Sequence, residues 1–300
     1  MAIKMNIICI VGATASGKTS LSIKLAKKIG SEIVSADSMQ IYKHMDIGTA
    51  KPDIAEREGI PHFMIDICMP SQNYSVIDYF KNASVFIDNI TVRDKTPIVV
   101  GGTGLYFDSL TKGLSFFGPE ADDKLRTELN LLAEEQGVLK VHKRLAEIDK
   151  ESAEKIHPNN LKRVIRAIEI YNSTGIKMSD HINADKEKKG KYTARFFALR
   201  VEQNELYARV DERVDVMIKQ GLVNEVEKLI DMGIDEKYTA MQAIGYKELT
   251  GVIKRGESLE EAIELIKQRS RNYAKRQLTW FKRDDKIIWL DKPEQINEYF

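Results

Sequence analysis

Over the first hundred residues, short unbroken apolar runs alternate with longer stretches in which apolar positions recur every three or four residues. Ile7–Val11, Glu32–Ala36, Phe63–Ile67 and Pro97–Val100 are runs of the first kind. Thr19–Ile29 and Val76–Ile90 are of the second. Period 3.6 predicts helices, and short all-apolar runs bounded by Gly, Asp or polar residues predict strands buried on both faces. Their alternation predicts an α/β fold, a parallel sheet with helices on both faces. Ligands of such sheets sit beyond the carboxyl ends of the strands.

The alternation stops after Gly113. From Asp122 to about Ser173 the spacing is helical only, with Leu125, Leu129, Leu132, Val138, Val141 and Leu145 on one stripe. Lys162–Tyr171 continues it, and a polar stretch, Asn183–Lys191, follows with Lys186, Lys188, Lys189 and Lys191 close together. Strand character returns at Arg195–Val201 and at Lys286–Leu290. We therefore expect residues 1–110 and 192–300 to form the α/β core and 111–191 to be an inserted helical subdomain. Towards the end of the chain the pattern predicts one helix over Asn204–Met232, stopped at Gly233, and another over Leu259–Phe281.

Gly12-Ala13-Thr14-Ala15-Ser16-Gly17-Lys18-Thr19 lies between the first strand and the first helix. This is a phosphate-binding loop in its structural setting, which makes the core a P-loop-containing parallel sheet. Loop N–H groups and the helix dipole converge on one spot. Lys18 adds a full charge, and the Thr19 hydroxyl suits Mg²⁺. The pattern predicts binding of a di- or triphosphate, whether nucleotide or other.

Other residues narrow the chemistry. Asp37, in Asp37-Ser38-Met39-Gln40, follows the second strand and so falls beside the loop, where a carboxylate can take a proton or hold Mg²⁺ through water; a helix N-cap is the plainer role. The strand Ile98–Val100 ends in Gly101-Gly102-Thr103-Gly104, without the acid that orders Mg²⁺ and water in many nucleotide hydrolases. Bare backbone there admits a ligand, or simply makes a turn. Arg209 and Arg213 share a helix face suited to a polyphosphate, with Glu205, Asp211, Glu212 and Asp215 near enough to pair them instead. Lys162, Arg163 and Arg166 fall within about one turn and suit nucleic-acid phosphates or a solvated face. Lys267–Arg283 interleaves cations with Tyr273, Trp280 and Phe281, a pattern in which cations attract phosphates and aromatics can stack on bases. Trp280 and Phe281 read as the core side of that helix, and packing leaves its cations unexplained.

Two cysteines, Cys9 and Cys68, are too few for a disulfide framework and lack metal-ligand spacing. No segment is long and apolar enough to span a bilayer, and the opening residues lead straight into a strand with no room for a signal peptide. The expectation is a cytoplasmic protein.

Taken in order, Gly12–Thr19, Asp37–Gln40, Gly101–Tyr106, Arg163–Glu169, Ile244–Glu248 and Tyr273–Phe281 resemble the bacterial tRNA dimethylallyltransferases over nearly the whole chain. The resemblance implies transfer of a dimethylallyl group from its diphosphate to N6 of the adenosine just 3′ of the anticodon. It implies that Gly12–Thr19 hold the diphosphate, with Mg²⁺ near Thr19, and that Asp37, Thr103 and Arg213 are catalytic: Asp37 takes the amine proton and Arg213 steadies the departing pyrophosphate. Contacts to the tRNA anticodon stem-loop are implied for Asp37, Ser38, Met39, Gln40, Thr103, Arg126, Lys162, Arg163, Val164, Ile165, Arg166, Gln242, Ala243, Ile244, Gly245, Tyr246 and Lys247. Lys162 and Gln242 depart from residues common in the family. No zinc is expected, and the chain is expected to act as a monomer. Three rivals remain at this point: a small-molecule kinase, an isopentenyltransferase acting on free AMP or ADP, and a noncatalytic RNA-binding module.

Overall fold

The computed structural model describes residues 6–113, 122–185 and 188–300; the first five residues and Lys186, which carried expectations above, lie outside them. The described chain divides into two compact units. Residues up to Thr111 and from Lys191 make the first, and Lys112–Gly190 the second.

The first unit is built on six strands: β1 (Asn6–Val11), β2 (Ile33–Ser35), β3 (His62–Phe63), β4 (Ile98–Gly101), β5 (Thr193–Leu199) and β6 (Ile287–Leu290). All pairings are parallel and the order is β3-β2-β4-β1-β5-β6. β1 is central, with Val11 opposite Gly101 of β4 on one side and Ala198 of β5 on the other. After β1 the chain crosses to β2, leaving the neighbouring place for β4. That gap opens a crevice at the carboxyl end of β1.

Side-chain alternation along β1 divides the core. Ile7, Cys9 and Val11 pack with α2 (Val76–Val92) and α3 (Gly104–Thr111) through Tyr79, Ile87, Tyr106 and Phe107. Ile8 and Ile10 face α1 (Lys18–Ile29) and its Leu21, Ile23 and Leu25. Cys9 is thus a small core residue, and burial pushes its thiol well up.

Two expected elements differ. The strand over Phe63–Ile67 is two residues long, because Met64 and Asp66 take positive φ of 64° and 56° and turn the chain out of the sheet. The helix over Asn204–Met232 is two helices, α9 (Gln203–Lys219) and α10 (Leu222–Asp231), numbered after those of the second unit. Gly221, at φ 98°, breaks it. The apolar stripe continues on both sides of the break, so periodicity alone does not reveal it. α11 (Tyr246–Arg255) and α12 (Leu259–Phe281) complete this unit, packing with α9 and α10 around Val214, Val226, Tyr246 and Ile266.

The second unit is helical throughout its described residues: α4 (Asp123–Gln136), α5 (Val138–Ile148), α6 (Lys150–Lys155), α7 (Leu161–Thr174) and α8 (Met178–Asp185). Leu125, Leu129, Val141, Leu145, Val164, Ile165 and Ile168 form its core. Among the described residues no helix is long and apolar enough to cross a membrane.

Candidate active site

The loop between β1 and α1 owes its shape to its backbone. Gly12 and Gly17 sit at φ 148° and 88°, and Ala15 accepts φ 60°, a strained value for a residue with a Cβ. A side chain on Gly12 would also meet the Ser16 hydroxyl. α1 begins at Lys18 with no side-chain cap, so its first N–H groups are left to a ligand or water. Ser16 Oγ is buried with no hydrogen-bond partner, an orphan donor inside the cradle.

Around this cradle lies a cavity of about 390 Å³. Thr14, Lys18, Asp37 and Arg213 line its polar end, and Val210, Val214, Met217, Leu222, Ile244 and Ile266 its apolar wall. Lys18 Nζ donates to the Ala13 carbonyl (2.8 Å), and Arg213 donates to Thr14 Oγ1 (2.9 Å). Burial and the Arg213 charge pull the Lys18 ammonium down to about 8, with Asp37 pulling the other way. Burial likewise lowers Arg213, against the pull of Asp37 and Glu56. Two cations held below their ordinary values beside one carboxylate make a pocket deficient in negative charge. Arg209 is on the same helix but pairs with Glu205 (2.5 Å) and does not line the cavity.

Asp37 opens a turn after β2, not the helix that an N-cap would need. Its Oδ1 accepts from the N–H groups of Met39 (2.9 Å) and Gln40 (3.4 Å), which fixes the turn. No hydrogen bond to Oδ2 occurs among the described residues, and the residue lines both this cavity and a smaller one of about 50 Å³ shared with Thr19, Ser35 and Gln40. Thr103 stands behind the turn, its Oγ1 accepting from Ser38 N–H (3.1 Å).

The glycines at the end of β4 lie against protein, and Gly101 also lines the smaller cavity. A Cβ on Gly101 would lie 2.2 Å from the Ala36 carbonyl oxygen, on Gly102 2.0 Å from Gln277 Nε2, and on Gly104 2.2 Å from Trp280 Nε1. Trp280 itself is 41% exposed, against the expectation of a core residue, whereas Phe281 is buried.

Gln277, to which the sequence assigns no role, and Tyr273, read from it as able to stack on a base, both line the cavity. Gln277 Oε1 accepts from Thr14 N–H (2.8 Å) and its Nε2 donates to the Gly102 carbonyl (3.0 Å), tying the loop to β4. The Tyr273 phenol is pushed up to about 12 by burial first and by Asp37 second. Their polar side chains at buried spacing on an otherwise basic helix were the available signal.

The expected nucleic-acid residues divide. Gln242, Ala243, Ile244 and Gly245 line the cavity, but Tyr246 is fully buried and its ring cannot reach a ligand outside. Gln40 already spends its amide on the Thr49 and Ala50 carbonyls. The cations of α12 are largely explained by acids distant in sequence: Lys267 pairs with Asp215, Arg269 with Glu248 and Arg271 with Asp211. In the second unit, Val164 and Ile165 are core residues, not surface contacts. Arg126 and Arg166 both bind Glu169, whose side chain is wholly buried. Burial works to raise that carboxyl, and the hydrogen bonds from Arg126, Arg166 and Asp122 N–H outweigh it and hold it below its usual range. Lys162, Arg163 and Lys247 are exposed.

Comparison with known proteins agrees with this geometry. The sequence model of the IPP transferase family matches residues 40–284. A tRNA dimethylallyltransferase of Acetivibrio thermocellus is 47% identical over 289 residues, 96% of this chain and 92% of that one. The crystal structure of a tRNA delta(2)-isopentenylpyrophosphate transferase from Staphylococcus epidermidis is 45% identical, covers 99% of both chains and superposes with a TM-score of 0.72. A eukaryotic dimethylallyltransferase crystallised acting on tRNA reaches a TM-score of 0.78 at 33% identity, over 95% of this chain and 73% of that one. With a phosphate loop, a facing carboxylate and a two-ended cavity in place, and relatives this similar along almost the entire length, the chain belongs to the IPP transferase family.

Proposed function

We propose that the protein transfers a dimethylallyl group from dimethylallyl diphosphate to N6 of the adenosine 3′ of the anticodon in tRNA. The observation that carries this is the single cavity in which Lys18, Arg213 and Asp37 meet an apolar wall. A phosphate cradle at one end of an apolar chamber suits an allylic diphosphate better than a phosphoryl donor.

The chemistry balances with the groups present. The allylic C1–O bond breaks and the pair of electrons leaves with the diphosphate. Lys18, the loop N–H groups and Arg213 stabilise that departing charge. The adenine N6 lone pair forms the new C–N bond, and Asp37 Oδ2 takes the N6 proton. An adenine reaches the chamber only out of its stack, at a cost of a few kcal/mol, which phosphate contacts elsewhere on the tRNA offset. Lys162, Arg163 and Lys247 are exposed cations available for those contacts.

Mg²⁺ fits the smaller polar cavity. Thr19 would supply a hydroxyl and Asp37 a carboxylate there, beside Lys18 and Arg213. Such a partial donor set suits an ion that keeps several waters and is completed by substrate phosphates. When bound it would neutralise the leaving group. Two buried free cysteines fit a reducing cytoplasm.

The test is to incubate the protein with labelled dimethylallyl diphosphate and either unmodified tRNA or free AMP, without ATP. Label on tRNA is the expected result. Label on AMP alone would identify an enzyme for free nucleotides, and ATP-dependent phosphorylation without transfer would identify a kinase.

A further inference from the structure

Glu225 lies on the first turn of α10, yet its carboxylate is directed away from that helix. Oε2 accepts from the backbone N–H groups of Asp46 (2.9 Å) and Ile47 (2.8 Å). Oε1 accepts from the N–H of Gly48 (3.1 Å) and from the Tyr246 hydroxyl (2.5 Å). Four donors thus converge on one carboxylate, three of them from a turn about 180 residues away. Charge-assisted hydrogen bonds of this kind are about twice as strong as neutral ones.

The turn continues into the cavity. Gly48, Thr49 and Ala50 line it, and the Thr49 and Ala50 carbonyls accept from Gln40 Nε2 at 3.3 and 3.2 Å. The Gln40 N–H in turn points to Asp37 Oδ1 (3.4 Å). From the other side, the Tyr246 ring lies directly on Gly48, where an added Cβ would sit 2.5 Å from a ring carbon. Ala243, Ile244 and Gly245, just before Tyr246, also line the cavity. One carboxylate therefore joins two stretches of the cavity wall, Gly48–Ala50 and Ala243–Gly245, and through Gln40 braces the turn that carries Asp37.

We infer that Glu225 is a positioning residue for the transfer step: it sets the nucleoside-facing wall and the Asp37 turn while leaving the phosphate loop to itself. This rests on the proposed function. Gly12–Thr19 makes none of the hydrogen bonds to Glu225, so phosphate binding is the readout that tells positioning from a general structural role.

The experiment compares Glu225→Gln and Gly48→Ala with the wild type. Glutamine keeps the size but loses two acceptor positions. Alanine keeps the carboxylate but pushes the Tyr246 ring and its hydroxyl off it. Both should lower kcat on tRNA about tenfold or more, as misplacement of a reacting group does. The Kd for inorganic diphosphate should stay within about twofold, because the loop is not held by this cluster. Amide hydrogen exchange at Asp46–Gly48 should accelerate in Glu225→Gln with the β1 amides unchanged. The double variant should be no worse than about the poorer single one, since both changes break the same unit. Wild-type kcat with Glu225→Gln, or unchanged exchange at Asp46–Gly48, would overturn the inference. Parallel loss of diphosphate binding and melting temperature would reduce Glu225 to a structural residue. Tyr246→Phe, which removes one donor of four, gives the same readings if Glu225→Gln does not fold. If the wild type itself fails to prenylate tRNA, the functional reading falls, and the exchange data still decide what Glu225 holds.

Discussion

Lys18 and Arg213 beside Asp37 in one unit, and Arg126 and Arg166 beside Glu169 in the other, are the same inventory of two cations and one acid. Their surroundings make them opposites. Glu169 is wholly buried and receives both guanidinium groups and the Asp122 N–H, so its charge is spent inside the unit. Asp37 receives only backbone N–H groups on one oxygen, and Lys18 and Arg213 turn to the Ala13 carbonyl and the Thr14 hydroxyl. Among the described residues, neither cation is neutralised by a direct ion pair. The first arrangement closes a fold, and the second is left poised for an anion. Cations close together in sequence do not distinguish the two cases; the place of the acid does.

The comparison can be broken at four points. The largest effect is expected from Asp37→Ala, which should lower kcat by about 10²–10⁴ while tRNA affinity stays nearly constant. Single-turnover kinetics with a separate binding assay will tell, and near-normal turnover would remove Asp37 from the proton-transfer role. Glu169→Ala should act on stability instead, costing about 2–3 kcal/mol; this is less than a fully buried pair, because the Arg126 and Arg166 side chains are 41% and 33% exposed and reach water. Denaturant unfolding measures it, and an unchanged midpoint would refute the structural assignment.

The third point is pH. Lys18 titrates near 8 in the folded chain against 10.5 ordinarily, so between those values the unfolded chain binds more protons and stability rises with pH. Binding of an anion should draw the proton back. Affinity for inorganic diphosphate should therefore weaken above pH about 8, by up to about tenfold per unit, with proton uptake visible by calorimetry in buffers of different ionisation enthalpy. A flat profile between pH 7 and 10 would contradict it. The smallest effect is expected from Lys162→Ala with Arg163→Ala, which should lower the salt dependence of tRNA binding by about one unit of slope per residue. Arg126→Ala should instead destabilise the unit through Glu169, so equal salt slopes for the two would erase the distinction.

What the sequence revealed follows from the range of the interactions involved. β1, the phosphate loop and α1 are contiguous, and their pattern, glycines and lysine are read in one window. The parallel sheet was legible because its central strands are apolar on both faces. The break at Gly221 was hidden by an apolar stripe that continues across it. The roles of Gln277 and Glu225 were hidden because most of their partners are main-chain groups 263 and about 180 residues away, with no side-chain signature. Gly101, Gly102 and Gly104 marked a close approach correctly but not its occupant, which is Ala36, Gln277 and Trp280.

The point where the chain leaves the first unit is also where it returns: the Tyr192 N–H donates to the Leu110 carbonyl (3.2 Å), and Gly113 and Lys189 run close beside one another within the second. During folding this matters for β5, which must find β1 from far along the polypeptide. Closing a slack loop of that size carries an entropy cost that grows with the logarithm of its length. With the two ends of the inserted stretch held side by side, the effective loop that β5 and β6 close is far shorter than the sequence between β4 and β5.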